Sequence, residues 1–224
     1  RWESERYRNI NLANFMKVAR ALSVEFSATF QSPELSKWMA PVDVNPSEIQ
    51  KVLKHARAHG WLEKSESEDK DGAKRLIRYV SEHVSRYGTP SLLRTGLNVK
   101  DQPEDLALLS WKAHITRKAE RIINDEKPAY RPLELSWLKE LAQLSGRENG
   151  PLLAQAHLKA HGILLVVERN IPGMEVDGAA FLVEDIPVIG LTLRRNALDN
   201  FWFTLMHEVA HVILHYRTGL AAGF

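Results

Sequence analysis

Apolar residues recur at three- and four-residue steps through most of the chain and change to short continuous runs only in its last third. Leu12, Phe15, Met16, Ala19 and Leu22 make one such stripe, which predicts a helix over 9–24. From Phe26 to Pro46 the pattern is broken by Pro33, Pro41 and Pro46, so a connector with little regular structure is expected there. Ile49, Val52, Leu53 and Ala56 share a face in a helix predicted over 47–62. Residues 63–74 are densely charged and read as a solvated loop or as the start of an exposed helix; helices follow at 75–87 and 104–126. Helices at 133–145 and 150–161 come next, the second closed by Gly162 at a C-cap position. Ile163 to Val167 reads as a strand and Ile171-Pro172-Gly173 as a turn. Gly178–Val183 and Val188–Leu193 read as two more strands, joined by Glu184-Asp185-Ile186-Pro187. A last helix starts near Leu198 or Asp199, with Asp199 as N-cap, and runs through Tyr216. The order of helices, three strands and a final helix predicts an α+β domain preceded by a mostly helical region.

Composition narrows the function. With 44% hydrophobic residues the chain can bury a core, and a net charge of +2 argues against a protein that coats nucleic acid generally. No apolar run approaches the roughly 18 residues of a membrane span, so no membrane association is expected. Cysteine is absent, which excludes disulfides and thiolate metal sites and leaves His and carboxylate as metal ligands. A reducing, cytoplasmic compartment is the default for such a chain. It begins at Arg1 and stops at Phe224, a few residues past its strongest motif, so a longer parent protein is expected.

That motif is His207-Glu208-Val209-Ala210-His211. Residues four apart lie on one helix face, so His207 and His211 can share a metal, while Glu208 stands one step round and can reach water without ligating. The expected chemistry is hydrolysis: a metal acidifies water and polarises a peptide carbonyl, and Glu208 takes the water's proton and later returns it to the leaving amine. The flanking Phe201, Trp202, Phe203, Leu205, Met206, Val212, Ile213 and Leu214 predict a helix buried in a core, where two histidines and a glutamate need a reason. His215 extends the row, but on a straight helix it lies roughly 12 Å along the axis from His207. It is read as a supporting residue beside the site or a structural one near the helix end. The third protein ligand is unassigned; Glu168, Glu175, Asp177, Glu184 and Asp185 lie upstream and read as solvated turn carboxylates. Zinc suits two imidazoles and a carboxylate, with manganese or another divalent ion as the alternative. No other cofactor is indicated.

The stretch from about Pro132 to His215 resembles the ImmA/IrrE family of metallopeptidases. Three pieces carry the resemblance: Ala156-His157-Leu158-Lys159-Ala160-His161-Gly162-Ile163, Ile186-Pro187-Val188-Ile189-Gly190-Leu191-Thr192-Leu193, and Phe203-Thr204-Leu205-Met206-His207-Glu208-Val209-Ala210-His211-Val212-Ile213-Leu214-His215. The resemblance implies a zincin-like domain over 131–224, His207 and His211 as zinc ligands, Glu208 as catalytic base, and a third, acidic ligand from a helix downstream of Phe224. More weakly, Arg1-Trp2-Glu3-Ser4-Glu5-Arg6 with Leu12, Phe15, Lys17, Val18, Ala19, Ala21 and Leu22 is similar to the end of an Xre/Cro-type helix-turn-helix domain, over 1–25, with Glu5 and Ile10 where that family has Gly and Pro. Together they imply a transcriptional regulator that contacts DNA through its amino-terminal domain, forms a homodimer, and cleaves a protein substrate such as a repressor or antitoxin.

Residues 26–130 are left as a helical linker or a ligand or partner sensor. The competing reading of the whole chain is a DNA-binding regulator whose zincin-like domain senses a ligand or partner without proteolysis. His55 and His59 are expected on a polar surface, and His157 and His161 at a helix C-terminus where a cation is favoured. Trp61, Trp111 and Trp137 are expected as core or interface anchors.

Overall fold

The computed structural model describes residues 45–61, 72–87, 106–192, 194 and 197–216. The helix expected over 9–24, the helix-turn-helix resemblance and the connector up to 44 lie outside them. Three helices come first: α1 (Pro46–Ala58), α2 (Gly72–Tyr87) and α3 (Leu106–Glu126). They are followed by α4 (Leu135–Gln143), a 3-10 turn at Leu144–Gly146, and α5 (Gly150–Ala160). Strands β1 (Leu164–Glu168), β2 (Gly178–Val183) and β3 (Ile186–Thr192) lead into α6 (Leu198–His215). The class is α+β, as the pattern predicts.

The sheet has the order β1-β3-β2, with β1 parallel and β2 antiparallel to β3. Strand alternation divides the core in two. Leu164, Val166, Phe181, Val183, Ile186 and Val188 join a cluster with α1, α2 and α3. Leu165, Ala180, Ile189 and Leu191 join a second with α4, α5 and α6. The sheet is therefore the middle of three layers, and β3 is buried along its whole length. The described part of the helical region between 26 and 130 covers one face of the same sheet. Trp111 of α3 lies over Gly190, where a Cβ would come within 2.8 Å of the indole. Trp61, Trp111 and Trp137 are all buried.

Several boundaries differ from the sequence reading, each for a local reason. The first helix ends at Ala58 rather than 62, because Gly60 takes a left-handed φ of 66° and stops it. Its start is set by Asn45, whose side chain accepts a hydrogen bond from Ser47 N at 3.0 Å, with Pro46 at the first helical position. The helix predicted over 133–145 is α4 plus its 3-10 turn. The α2 helix begins at Gly72, inside the charged stretch. Ile186 and Pro187 belong to β3, not to a connector: Glu184 and Asp185 alone make the turn, with φ of 49° and 66°, the two left-handed residues of a tight hairpin. Pro187 is tolerated because the ladder alternates. Val183 and Ile186 close the turn as the hydrogen-bonded pair, so the next pair, Leu182 and Pro187, exchanges no N–H bonds. The pairing with β1 begins only at Val188.

Two surface expectations are also corrected. His55 is buried, not exposed: its ring stacks on His59 at 4.2 Å and meets the edge of Trp61 at 5.0 Å, and Trp61 stacks on His114 at 4.3 Å. Glu168 is not a solvated turn carboxylate. It ends β1 between Lys118, which it pairs with, and His114 at 3.4 Å. Burial pushes its carboxyl up, but hydrogen bonds and charge from His114 and Lys118 outweigh this and hold it at about 2. Glu184 likewise pairs with Arg86 at 2.9 Å.

A buried histidine on α2 gives a pH prediction. His83 is buried, and that burial, with Lys112 nearby, lowers its pKa from 6.5 to about 3. Below pH 6.5 the unfolded chain takes up this proton and the folded chain does not, so stability is lost as pH falls from 6.5 toward 3. Between pH 7 and 4.5 the parent should lose about 2 to 3 kcal/mol more stability than His83→Gln. Urea denaturation of both proteins at the two pH values measures this, and equal losses would refute the burial of an uncharged ring.

Candidate metal centre on the last helix

Helix α6 presents three faces to three surroundings. Leu205, Val209 and Val212 point into the core against Ile189, Leu191 and Ala180. Thr204 and Glu208 are buried beside them, toward β2. Phe203 (76% exposed) and Leu214 (69%) face solvent, as does His207. The expectation of a wholly buried helix is thus corrected: one side of α6 is open, and the motif histidines lie toward it. Asp199 is not the N-cap. Ala197 occupies that position without a side-chain bond, and Asp199 Oδ1 instead accepts from Asn200 N at 2.9 Å within the first turn.

Small residues let the helix approach the sheet. A Cβ on Gly178 would lie 2.7 Å from Thr204 Cγ2, so only glycine fits where α6 crosses the start of β2. Ala179 and Ala180 continue this low-profile strand. At the helix end, Tyr216 Oη donates to Asp185 O at 3.1 Å, tying α6 to the β2–β3 turn. The signal for this close approach was present in Gly178-Ala179-Ala180, but nothing along the chain says which helix the run meets.

His207 and His211 come together as the four-residue spacing requires. Their rings are 4.7 Å apart and nearly perpendicular, and the two Nε2 atoms are 3.1 Å apart. Two nitrogens so placed share either a proton or a cation. For metal–nitrogen bonds of about 2 Å, tetrahedral ligands stand about 3.3 Å apart, so the pair fits one ion without rearrangement. Burial, then the charges of His207 and His215, lower the pKa of His211 and favour its neutral, ligating form. His215 follows His211 at 5.6 Å between rings, next in the row rather than convergent with the pair.

Glu208, the next residue along, is buried beside β2. Burial raises its carboxyl to about 7, only partly opposed by a hydrogen bond from the Ala180 backbone. A carboxyl held there can accept and release a proton near neutrality. Beta2 has β3 on one side only, so among the described residues it is an edge strand, and Ala180 places that edge beside Glu208.

The upstream carboxylates stay apart from the pair. Glu168 and Glu184 are engaged elsewhere, as described, and among the described residues no three His, Asp or Glu side chains are grouped to hold a metal. A recess of about 480 Å³ opens one turn before Glu208, at Thr204, and is lined by Phe201, Leu191, Gln155 and Asp177. His157 and His161 are half-buried and flank Trp137. His157 stacks on the indole at 4.8 Å, and Trp137 Nε1 donates to His161 Nδ1 at 2.8 Å. No helix among the described residues is long and apolar enough to cross a membrane. Comparison with family models, with curated proteins and with solved structures returns no match to this chain.

Proposed function

We propose that this protein is a zinc-dependent peptidase of the ImmA/IrrE kind, acting on a regulatory protein within a transcriptional regulator. The observation that carries the reading is the convergence of His207 and His211 Nε2 at 3.1 Å on the open side of α6, with Glu208 one residue on and buried beside an edge strand. Zinc held by the two imidazoles would supply a Lewis acid that polarises a carbonyl and acidifies water. The rest is the chain's own work. The edge of β2, which no other described strand covers, can pair with an extended peptide through main-chain hydrogen bonds, which brings a scissile bond alongside Glu208. Glu208 takes the proton of the attacking water and gives it to the departing amine. The neighbouring recess at Thr204, lined by Phe201 and Leu191 as well as Gln155 and Asp177, offers a place for a substrate side chain. Cleavage of a repressor or antitoxin, DNA contact through residues before α1 and a homodimer belong to the same proposal and rest on the sequence resemblance; a cytoplasmic setting belongs to it as the default compartment of a cysteine-free chain.

Metal content tests the first step. Elemental analysis of protein purified without a His-tag should give about one zinc per chain, and His207→Ala should reduce it at least tenfold, since one lost imidazole removes half of the visible donor pair. A parent with no zinc, or a mutant that keeps it, would remove the basis of the reading.

A further inference from the structure

We propose that the end of α1 is an acid-released latch: protonation of His55 breaks the row of rings formed by His59, His55, Trp61 and His114 and frees residues 56–61 from α3. The proposal is independent of the peptidase reading. The row is a seam between elements. His55 stacks on His59 at 4.2 Å within and just past α1, and meets the edge of Trp61 at 5.0 Å. Trp61 lies flat on His114 of α3, with centroids 4.3 Å apart and planes 10° apart. His114 Nε2 in turn stands 3.4 Å from Glu168 Oε1 at the end of β1. His55, Trp61 and His114 are all buried, so the contact that closes the end of α1 runs through titratable rings. Val52 and Leu53, one turn earlier, hold α1 in the core without any titratable group, which confines the release to the helix end.

The seam suits an uncharged His55. Its Nε2 is buried and has no hydrogen-bond partner, whereas a protonated imidazole must donate from both nitrogens. Charging the ring would leave that donor unmet and set a cation 4.2 Å from a second imidazole, that of His59. From β1 and the residue after it, the Glu168 carboxylate and the Arg169 backbone favour the charged ring, but Glu168 is already engaged by Lys118; from α3, His114 opposes it. Burial first, and then His59, outweigh the favourable groups and lower the pKa of His55 below 6.5. His114 shifts the same way: burial outweighs Glu168, and Lys118 and Arg117 add to the burial. Released into water, a histidine takes up its proton near pH 6.5. The closed form therefore holds fewer protons than the open one, and closure is lost as pH falls below 6.5.

Hydrogen exchange of the full chain at pH 7.5 and 5.5, corrected for intrinsic rates, tests this. The amides of His59 and Trp61, which donate to His55 O at 3.1 Å and Ala56 O at 2.9 Å, report the latch. Strand β3, which carries no titratable side chain, reports global unfolding, including the acid loss from His83. Protection over 56–61 should fall about five- to tenfold more than that of β3, the effect of one histidine protonated only on opening. His55→Phe keeps a flat ring in the row and cannot titrate, so most of this extra fall should vanish. His59→Gln, at an exposed position, removes the neighbouring charge and should reduce the fall. That variant decides the matter should His55→Phe not fold. A fall no greater than that of β3, or an undiminished fall in His55→Phe or in His59→Gln, would overturn the proposal.

Discussion

Glu208→Gln should lower peptide hydrolysis by the zinc-loaded protein by about two to four orders of magnitude while leaving its zinc content unchanged. Glu208 is buried against β2 and takes a hydrogen bond from Ala180, and it is not grouped with His207 and His211 as a third ligand, so the proton and not the metal is assigned to it. Glutamine keeps the size of the side chain and its ability to accept from Ala180, but it has no basic oxygen. Removing a buried carboxyl also relieves a desolvation cost, so the variant should be at least as resistant to urea as the parent. A quenched-fluorescence peptide library followed with both proteins, alongside elemental analysis, reads both quantities. Equal rates would take the base assignment away from Glu208; parallel loss of zinc and rate would make it a ligand instead.

Gly162→Ala should be the most damaging single-methyl change in the described fold. Gly162 turns the chain from α5 into β1 with φ of 74°, and a Cβ there would lie 2.3 Å from Ala129 O, 2.4 Å from Ala129 C and 2.5 Å from Tyr130 N. All three are backbone atoms, in a segment held against the turn by Arg131 N donating to His161 O at 3.1 Å. The left-handed conformation alone costs about 1–2 kcal/mol for a residue with a side chain, and forced displacement of packed backbone adds about 1–3 kcal/mol. A loss of about 2–5 kcal/mol is comparable to much of the stability of an ordinary domain. Gly60→Ala supplies the control. Its φ is 66°, but nothing lies within 4 Å of the added Cβ, so only the conformational cost of about 1–2 kcal/mol should appear. Urea midpoints for the two variants separate strain from collision; equal losses would mean that the 129–131 segment yields freely.

The chemistry of α6 was legible because helical spacing is local. Four residues make about one turn, so His207 and His211 had to share a face wherever the helix went. The same locality made Gly162 readable as a helix stop, Gly178–Val183 readable as a strand, and α1 readable by its apolar face. It failed where two elements meet. Glu168 looked like a turn carboxylate because nothing near it in sequence shows that Lys118 and His114 of α3 will close on it. His55 looked polar and exposed because Trp61 and His114 are brought to it only by packing. Pro187 looked like a break because its place in β3 depends on where pairing with β1 begins.

What the amino-acid order determined by itself, then, is the set of elements, the helical register of His207, Glu208 and His211, and the restriction of any metal site to imidazole and carboxylate. What only the tertiary structure decided is which way each side chain faces. It buried Glu208 against the edge of β2, left His207 and Phe203 in the open, set α1–α3 over the far side of the same sheet, and brought His55, Trp61 and His114 into one row of rings. The reason is physical. Period and propensity act over a few residues, whereas burial, desolvation and pairing are set by neighbours distant in sequence, and these shift a carboxyl from its usual range to about 7 at Glu208 and about 2 at Glu168.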